Sequence, residues 1–303
     1  MTLGKSLFIV NPAARHGETG KMLPVVERLA DGIIDYTIVL SDKPCHAKEI
    51  ASDASGYDSI VAVGGDGTVH EVLNGIMERP ENDRPALTII PTGSGNDYCR
   101  TLGISFDLPT AIRQIATGTT RMMDVGLVNG IYFANSISIG LDARVTAKAV
   151  ELKVTTGWSG MMLYLRAVIN VLLRQFYSHK VRLQFNDELS VDYEMLLLAA
   201  TNGATYGGGF VVTPDAVSDD GELDLCILDR VSLPGAFMRL PFLMVGKHTH
   251  MKPIHMSRHT SVRIESDKPI AGQIDGEVML ETAYDISILP RALKTIVPGS
   301  DEA

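Results

Sequence analysis

The chain has 303 residues, a formal net charge of −9, 45% hydrophobic residues and 21% charged residues, enough for two domains with ordinary globular cores. The acidic balance excludes a nucleic-acid binder held by a broad basic surface. Cys45, Cys99 and Cys226 form no CxxC pair, which excludes a readable zinc ribbon or disulfide framework and fits a reducing cytosol.

The first apolar run, "SLFIV", stops at Asn11-Pro12, too short for a secretory signal. From there to about residue 125, strand and helix signals alternate. "SLFIVNP" reads as a strand, "TGKMLPVVERLADG" as a helix stopped at Gly32, and "DYTIVLS" as a strand. "HAKEIASDASG" reads as a short helix, "DSIVAVGG" as a strand, "TVHEVLNGIME" as a helix and "PALTIIP" as a buried strand. The alternation predicts an α/β domain whose parallel sheet carries helices on both faces.

After Asp124 the texture changes to strand-like runs: "IYFANSISIG", "KVRLQFND", "LSVDYEMLLLAATN", "GELDLCILD", "TSVRIES", "AGQID" and "EVMLETAYDISIL". One helix, from about Ser159 to Phe176, interrupts them. An all-β sandwich or barrel is predicted as the second domain. The stretch "MMLYLRAVINVLL" is interrupted by Arg166 and falls short of the ~18 apolar residues that span a bilayer. A soluble cytoplasmic protein is expected.

The stretch "VGGDGTVHEVLNGI" places Gly64, Gly65 and Gly67 around Asp66, between a strand and a helix. Such a turn brings backbone N–H groups and a helix N-terminus to a phosphate. Glycines permit close approach and positive φ. Thr68 caps the helix or bonds a phosphate oxygen. A carboxylate beside a phosphate needs a cation between them, so Asp66 points to a magnesium-bound nucleoside triphosphate. The same turn also fits a plain strand-to-helix connection with Asp66 as a cap. "RHGETGKM" fails the Walker pattern at Arg15 and Met22, and "GDGTVH" fails the dinucleotide pattern at His70. A second glycine cluster, "PTGSGNDYCR", follows the next strand, and "NPAARHG" follows the first. In a parallel sheet all three loops share one rim.

With "MDVG", "TYGGGFVVTPDAVSDDGELDL" and "QIDGE", these motifs span nearly the whole chain and resemble the diacylglycerol kinase catalytic family, in particular its soluble bacterial lipid kinases. The resemblance implies an N-terminal domain like that of NAD kinase and phosphofructokinase, covering residues 1–124 plus about 288–303. It implies a β-sandwich over 125–287, with ATP in the cleft between them. Nucleotide contacts are then expected from Asn11, Pro12, Ser41, Gly64, Gly65, Asp66, Gly67, Thr68, Val69, His70 and Ser94. Serine stands at Ser41 and Ser94 where the family usually has threonine, which keeps the hydroxyl. The family places a structural magnesium where Val217 and Glu222 offer carbonyls and Asp220 its side chain. Read alone, that turn also fits a hairpin. Glu277 matches the family's general base, Asp275 supports it, and Asp124 is a third acid.

The expected activity is transfer of the γ-phosphoryl group of ATP, with magnesium, to the hydroxyl of diacylglycerol or a related lipid at a membrane surface or micelle. A homodimer and peripheral attachment to the inner membrane face are compatible with the resemblance. The rivals are a soluble NAD kinase-type enzyme, which shares "GGDGT", and a nucleotide-binding regulator without activity. His248, His250, His255 and His259 have no regular ligand spacing and read as a basic edge or solvated loop before a metal centre. The helix around Arg166 has one apolar face, read chiefly as core packing.

Overall fold

The computed structural model describes residues 3–299 apart from Ser159 and Asp187. Ser159, where the expected helix begins, Asp187, where the "KVRLQFND" run ends, and the last four residues of the chain lie outside that range. The chain divides into two compact units: the residues up to Asp124 together with the segment from Arg291, and Val125–Pro290.

The first unit runs β1 (Lys5–Val10), α1 (Glu18–Ala30), β2 (Asp35–Leu40), α2 (His46–Asp53), β3 (Ser59–Gly64), α3 (Asp66–Met77), β4 (Ala86–Pro91), α4 (Asp97–Leu102), α5 (Leu108–Thr117) and the start of β5 (Thr119–Val128). Strands pair in parallel in the order β2-β1-β3-β4. β3 and β4 are buried at every residue, as a sheet covered on both faces demands. The fifth strand is the last stretch of the chain, whose Thr295 pairs in parallel with Leu87. Thr88 Oγ1 donates to the Ile296 carbonyl, and Arg84 Nη1 to that of Ala292.

The second unit contains β6 (Ile131–Phe133), β7 (Ser136–Gly140), α6 (Leu141–Thr156), α7 (Gly160–Arg174), β8 (His179–Phe185), β9 (Val191–Thr201), β10 (Thr205–Tyr206), β11 (Phe210–Val211), β12 (Leu223–Asp229), α8 (Leu233–Met244), β13 (Ile254–His259), β14 (Ser261–Ile274) and most of β15 (Glu277–Val297). The order β13-β12-β9-β7-β14-β15 is antiparallel throughout. Alternation along β12 sorts its side chains. Leu223, Leu225 and Ile227 enter a core made by strands, while Cys226 and Leu228 enter one shared with the helices.

Those helices amend the sequence reading, which placed one helix in this unit. α6 is rich in β-branched residues, which weakens its helical signal, yet Leu141, Val145, Ala149 and Leu152 fall on one buried face. α8 carries Pro234 in its first turn and Pro241 inside it, both of which read as breaks. "IYFANSISIG" is two strands, β6 and β7, and "TSVRIES" and "AGQID" belong to the single strand β14.

Candidate functional site

Register fixes the rim of the first unit. Val10 pairs with Leu40 and with Val63, and Gly64 with Pro91, so the loops after β1, β2, β3 and β4 leave one edge of the sheet. The strand order reverses at β1, where open α/β sheets place ligands.

The glycines serve contact between loops rather than unusual dihedrals. None of Gly64, Gly65, Gly67, Gly93 and Gly95 has positive φ, which corrects that part of the expectation. A Cβ on Gly93 would lie 2.3 Å from Gly65 Cα, one on Gly95 2.6 Å from an Asp66 oxygen, and one on Gly64 2.2 Å from Thr68 Oγ1. The loops after β3 and β4 touch backbone to backbone, which only glycine permits. The residue with positive φ is Asn96, at 53°. Its Oδ1 accepts the Gly93 N–H at 3.0 Å and its Nδ2 donates to the Gly93 carbonyl at 3.2 Å. Asparagine tolerates this conformation because its short polar side chain bonds locally, the one signal that could have singled it out in the sequence.

Asp66 has a different partner from the one its position first suggests. Its Oδ2 accepts the Asn96 N–H at 2.8 Å and its Oδ1 the Asp97 N–H at 2.7 Å. The carboxylate therefore ties the first glycine loop to the opening of α4, and it caps a neighbouring helix rather than its own. A carboxylate on this rim is the hard oxygen donor that magnesium takes.

Thr68 does not cap α3, whose N-cap is Gly65 without a side-chain bond. Its buried hydroxyl accepts from Asn11 Nδ2 at 3.3 Å. Asn11 Oδ1 in turn accepts the Ala13 N–H at 3.1 Å, folding the loop that contains Pro12, and the Pro12 carbonyl accepts the Gly20 N–H. Ser41 follows β2, buried, with its N–H and hydroxyl both directed to the Val10 carbonyl. Gly67, Val69 and His70 lie in the first turns of α3; Val69 is buried and the His70 carbonyl accepts Asn74 Nδ2 at 2.9 Å. Ser94 Oγ is buried and has no hydrogen-bond partner. Between two glycines on the rim, that hydroxyl fits a ligand oxygen.

Asp124 is fully buried, and its Oδ1 accepts the Arg291 N–H at 2.6 Å. This geometry anchors a returning strand rather than presenting an acid to a substrate.

In the second unit, Asp275-Gly276 is a two-residue hairpin turn with φ of 46° and 96°, closed by the Ile274–Glu277 pair. The Asp275 carboxylate accepts three backbone N–H groups: Ala134 at 2.8 Å, Asn135 at 3.0 Å and Ser136 at 2.9 Å. Glu277 follows as an exposed residue at the start of β15. The supporting roles of Gln273 and Ser138 were not foreseen: Gln273 opens the "QIDGE" stretch without a role assigned to it, and no motif marks Ser138.

Asp220 lies in the turn before β12, and its Oδ1 accepts the Glu222 N–H at 3.0 Å. Its Oδ2 has Arg258 Nη1 at 3.9 Å, while Arg258 Nε donates to Asp224 Oδ1 at 2.9 Å. Asp224 Oδ2 is buried without a partner, and burial raises that carboxyl above its ordinary range. Val217 is exposed on the same turn. The donors this turn offers are hard oxygens, the kind magnesium takes.

The histidine segment disperses. His248 is buried with Nε2 2.9 Å from the Val212 carbonyl, His255 pairs with Asp229, and His259 stacks on Phe185. Among the described residues no cluster of three or more His, Cys, Asp or Glu is placed to hold a metal.

A parallel α/β unit with glycine loops on one rim, and an antiparallel sandwich, together define a kinase-type fold. The "Diacylglycerol kinase catalytic domain" model matches residues 5–128, and the "YegS C-terminal NAD kinase beta sandwich-like domain" model matches residues 135–297. The chain belongs to the diacylglycerol kinase catalytic-domain family. It is 32% identical to a diacylglycerol kinase of Staphylococcus epidermidis over 90% of this chain and 85% of that one. It is 31% identical to a diacylglycerol kinase of Bacillus subtilis, over 77% and 78% respectively. Among solved structures, a diacylglycerol kinase from Bacillus anthracis superposes with a TM-score of 0.76 at 24% identity, covering 100% of both chains. An NAD kinase from Archaeoglobus fulgidus solved with ATP gives a TM-score of 0.54 at 12% identity, over 98% of this chain and 94% of that one, a likeness of fold.

Proposed function

We propose that this chain is an ATP- and magnesium-dependent lipid kinase that phosphorylates the free hydroxyl of diacylglycerol, giving phosphatidic acid. The observation that carries the reading is the pair of glycine loops cross-braced by Asp66, with the buried Ser94 hydroxyl left unpartnered between them. Backbone N–H groups at this rim hold the phosphates, and the Ser94 hydroxyl donates to one of their oxygens.

The lipid oxygen attacks the γ-phosphorus, the bond from that phosphorus to the bridging oxygen breaks, and ADP leaves with the electron pair. Glu277 takes the hydroxyl proton, a task for a carboxylate in phosphoryl transfer to an alcohol. Magnesium, when bound, neutralises charge on the phosphate oxygens, and the Asp66 carboxylate is the residue that would orient it. Asp220, with the Val217 and Glu222 carbonyls, would hold a second magnesium that ties down the turn before β12.

The acceptor is met at a membrane surface or in a micelle. Among the described residues no helix is long and apolar enough to cross a membrane. α7 exposes Met162, Ile169 and Leu173 in one stripe with Arg166, and Arg166 lies over the Trp158 ring at 4.9 Å. Such a stripe suits the polar–apolar boundary of a lipid surface.

The test is phosphoryl transfer from labelled ATP to a panel of lipids in mixed micelles, with NAD as a soluble acceptor. Label in diacylglycerol supports the proposal; label only in NADP transfers the chain to the soluble class. Glu277→Ala is expected to abolish transfer while ATP binding, measured by calorimetry, stays within about threefold.

A further inference from the structure

The turn that presents Glu277 is pinned by two side chains, beside the Asp275 N–H that donates to the Ser136 carbonyl at 2.9 Å. Asp275 supplies one pin through its three backbone partners. Gln273, 2% exposed on β14, supplies the other: its Oε1 accepts the Gly276 N–H at 2.8 Å. The other end of the same amide donates, Nε2 to Ser138 Oγ, at 3.0 Å. Ser138, fully buried on β7, donates its own hydroxyl hydrogen to Asp142 Oδ2 at 2.5 Å. Tyr206 hydrogen-bonds to the Asp142 carboxyl as well.

The direction of this chain follows from counting hydrogens. A serine hydroxyl has one hydrogen, and Ser138 commits it to Asp142. Towards Gln273 it can only accept, so Gln273 must turn its NH2 end to Ser138. Its oxygen then has to face the Gly276 N–H. With the amide reversed, NH2 would meet N–H and the turn would lose its pin. Asp142 lies in the wall of an apolar cavity of about 80 Å³, shared with Val145, Leu172, Leu197 and Leu240, where burial pushes its carboxyl up and the hydrogen bonds from Ser138 and Tyr206 oppose that rise.

We propose that Gln273, Ser138 and Asp142 are positioning residues for Glu277: the polarity of their hydrogen bonds fixes the Gln273 amide, which fixes the Asp275-Gly276 turn. The inference rests on the role given to Glu277 above.

The experiment compares Ser138→Ala and Gln273→Met with the intact chain by steady-state kinetics and by hydrogen exchange at the Gly276 amide. Both variants are expected to lower kcat with diacylglycerol about tenfold or more, as small misplacements of a reacting group do. KM for ATP is expected to stay unchanged, and Gly276 to exchange faster. Ser138→Thr, which keeps the hydroxyl, is expected to restore both. Should Ser138→Ala fail to fold by circular dichroism, Gln273→Met, which keeps volume, decides by the same exchange measurement. Unchanged Gly276 exchange and kcat within twofold, while Glu277→Ala is inactive, would overturn the proposal. Full turnover by Glu277→Ala would instead overturn the functional reading, and Gly276 exchange would still report whether Ser138 orients Gln273.

Discussion

Asp66 and Asn96 are joined across two glycine loops by a hydrogen bond of 2.8 Å from the Asn96 N–H to Asp66 Oδ2, and the neighbouring Asp97 N–H fills the other oxygen at 2.7 Å. The aspartate in the glycine turn therefore has a structural duty apart from any metal. Asp66→Asn replaces one acceptor by an NH2 group that faces an N–H. Loss of one charge-assisted bond and exposure of a donor to a donor is expected to cost about 2–3 kcal/mol. Urea unfolding checks it: an aspartate acting only as a metal ligand would leave stability in metal-free buffer unchanged.

Gly93→Ala sets a Cβ 2.3 Å from Gly65 Cα, and neither backbone can yield without moving its loop. A loss of about 1–3 kcal/mol is expected, with weakened ATP binding. Gly299→Ala, whose Cβ would meet nothing within 4 Å, is the matched control and is expected to be neutral by thermal unfolding.

Magnesium is expected to raise the melting temperature of the intact chain, and EDTA to reverse the rise. Asp220→Ala is expected to remove this response, since a ligand that binds only the folded state stabilises it by mass action. The melting temperature in EDTA then compares variant and parent without metal.

His179 is pushed down from its ordinary value to about 4, first by burial and next by the nearby Arg144 guanidinium. The unfolded chain therefore binds this proton between about pH 6.5 and pH 4 while the folded chain does not. Stability falls as pH drops through that window. His179→Gln cannot take up the proton, so its stability is expected to fall less steeply there. Urea midpoints of both chains from pH 7 to pH 4 measure the difference.

The parallel unit was legible because β3 and β4 are largely apolar runs ended by glycine or proline, and because helical spacing separates them. The purpose of the glycines was less legible. Close approach of Gly65 to Gly93 depends on which loop lies opposite, a tertiary fact that a turn motif does not state. α6 escaped notice because its valines and threonines carry strand propensity, and packing of Leu141, Val145, Ala149 and Leu152 overrides it. The link from Gln273 to Ser138 was not legible either, although Gln273 opens "QIDGE", since single polar residues inside strands gain meaning only from what register sets beside them. Glu277 and Asp220, by contrast, lay in stretches whose whole pattern pointed to one family.

The Thr88 hydroxyl and the Ile296 carbonyl it bonds are 208 residues apart in the chain. The fifth strand of the first sheet is thus made only after the whole second unit. Until then β4 stands at an open edge with its hydrogen-bonding groups unmatched, a surface prone to mispairing. The residues up to Asp124 lack this strand while the second unit is being made. The second unit, inserted between the two parts, has to be made before the first can close. Slow folding dominated by distant contacts follows from this order of synthesis.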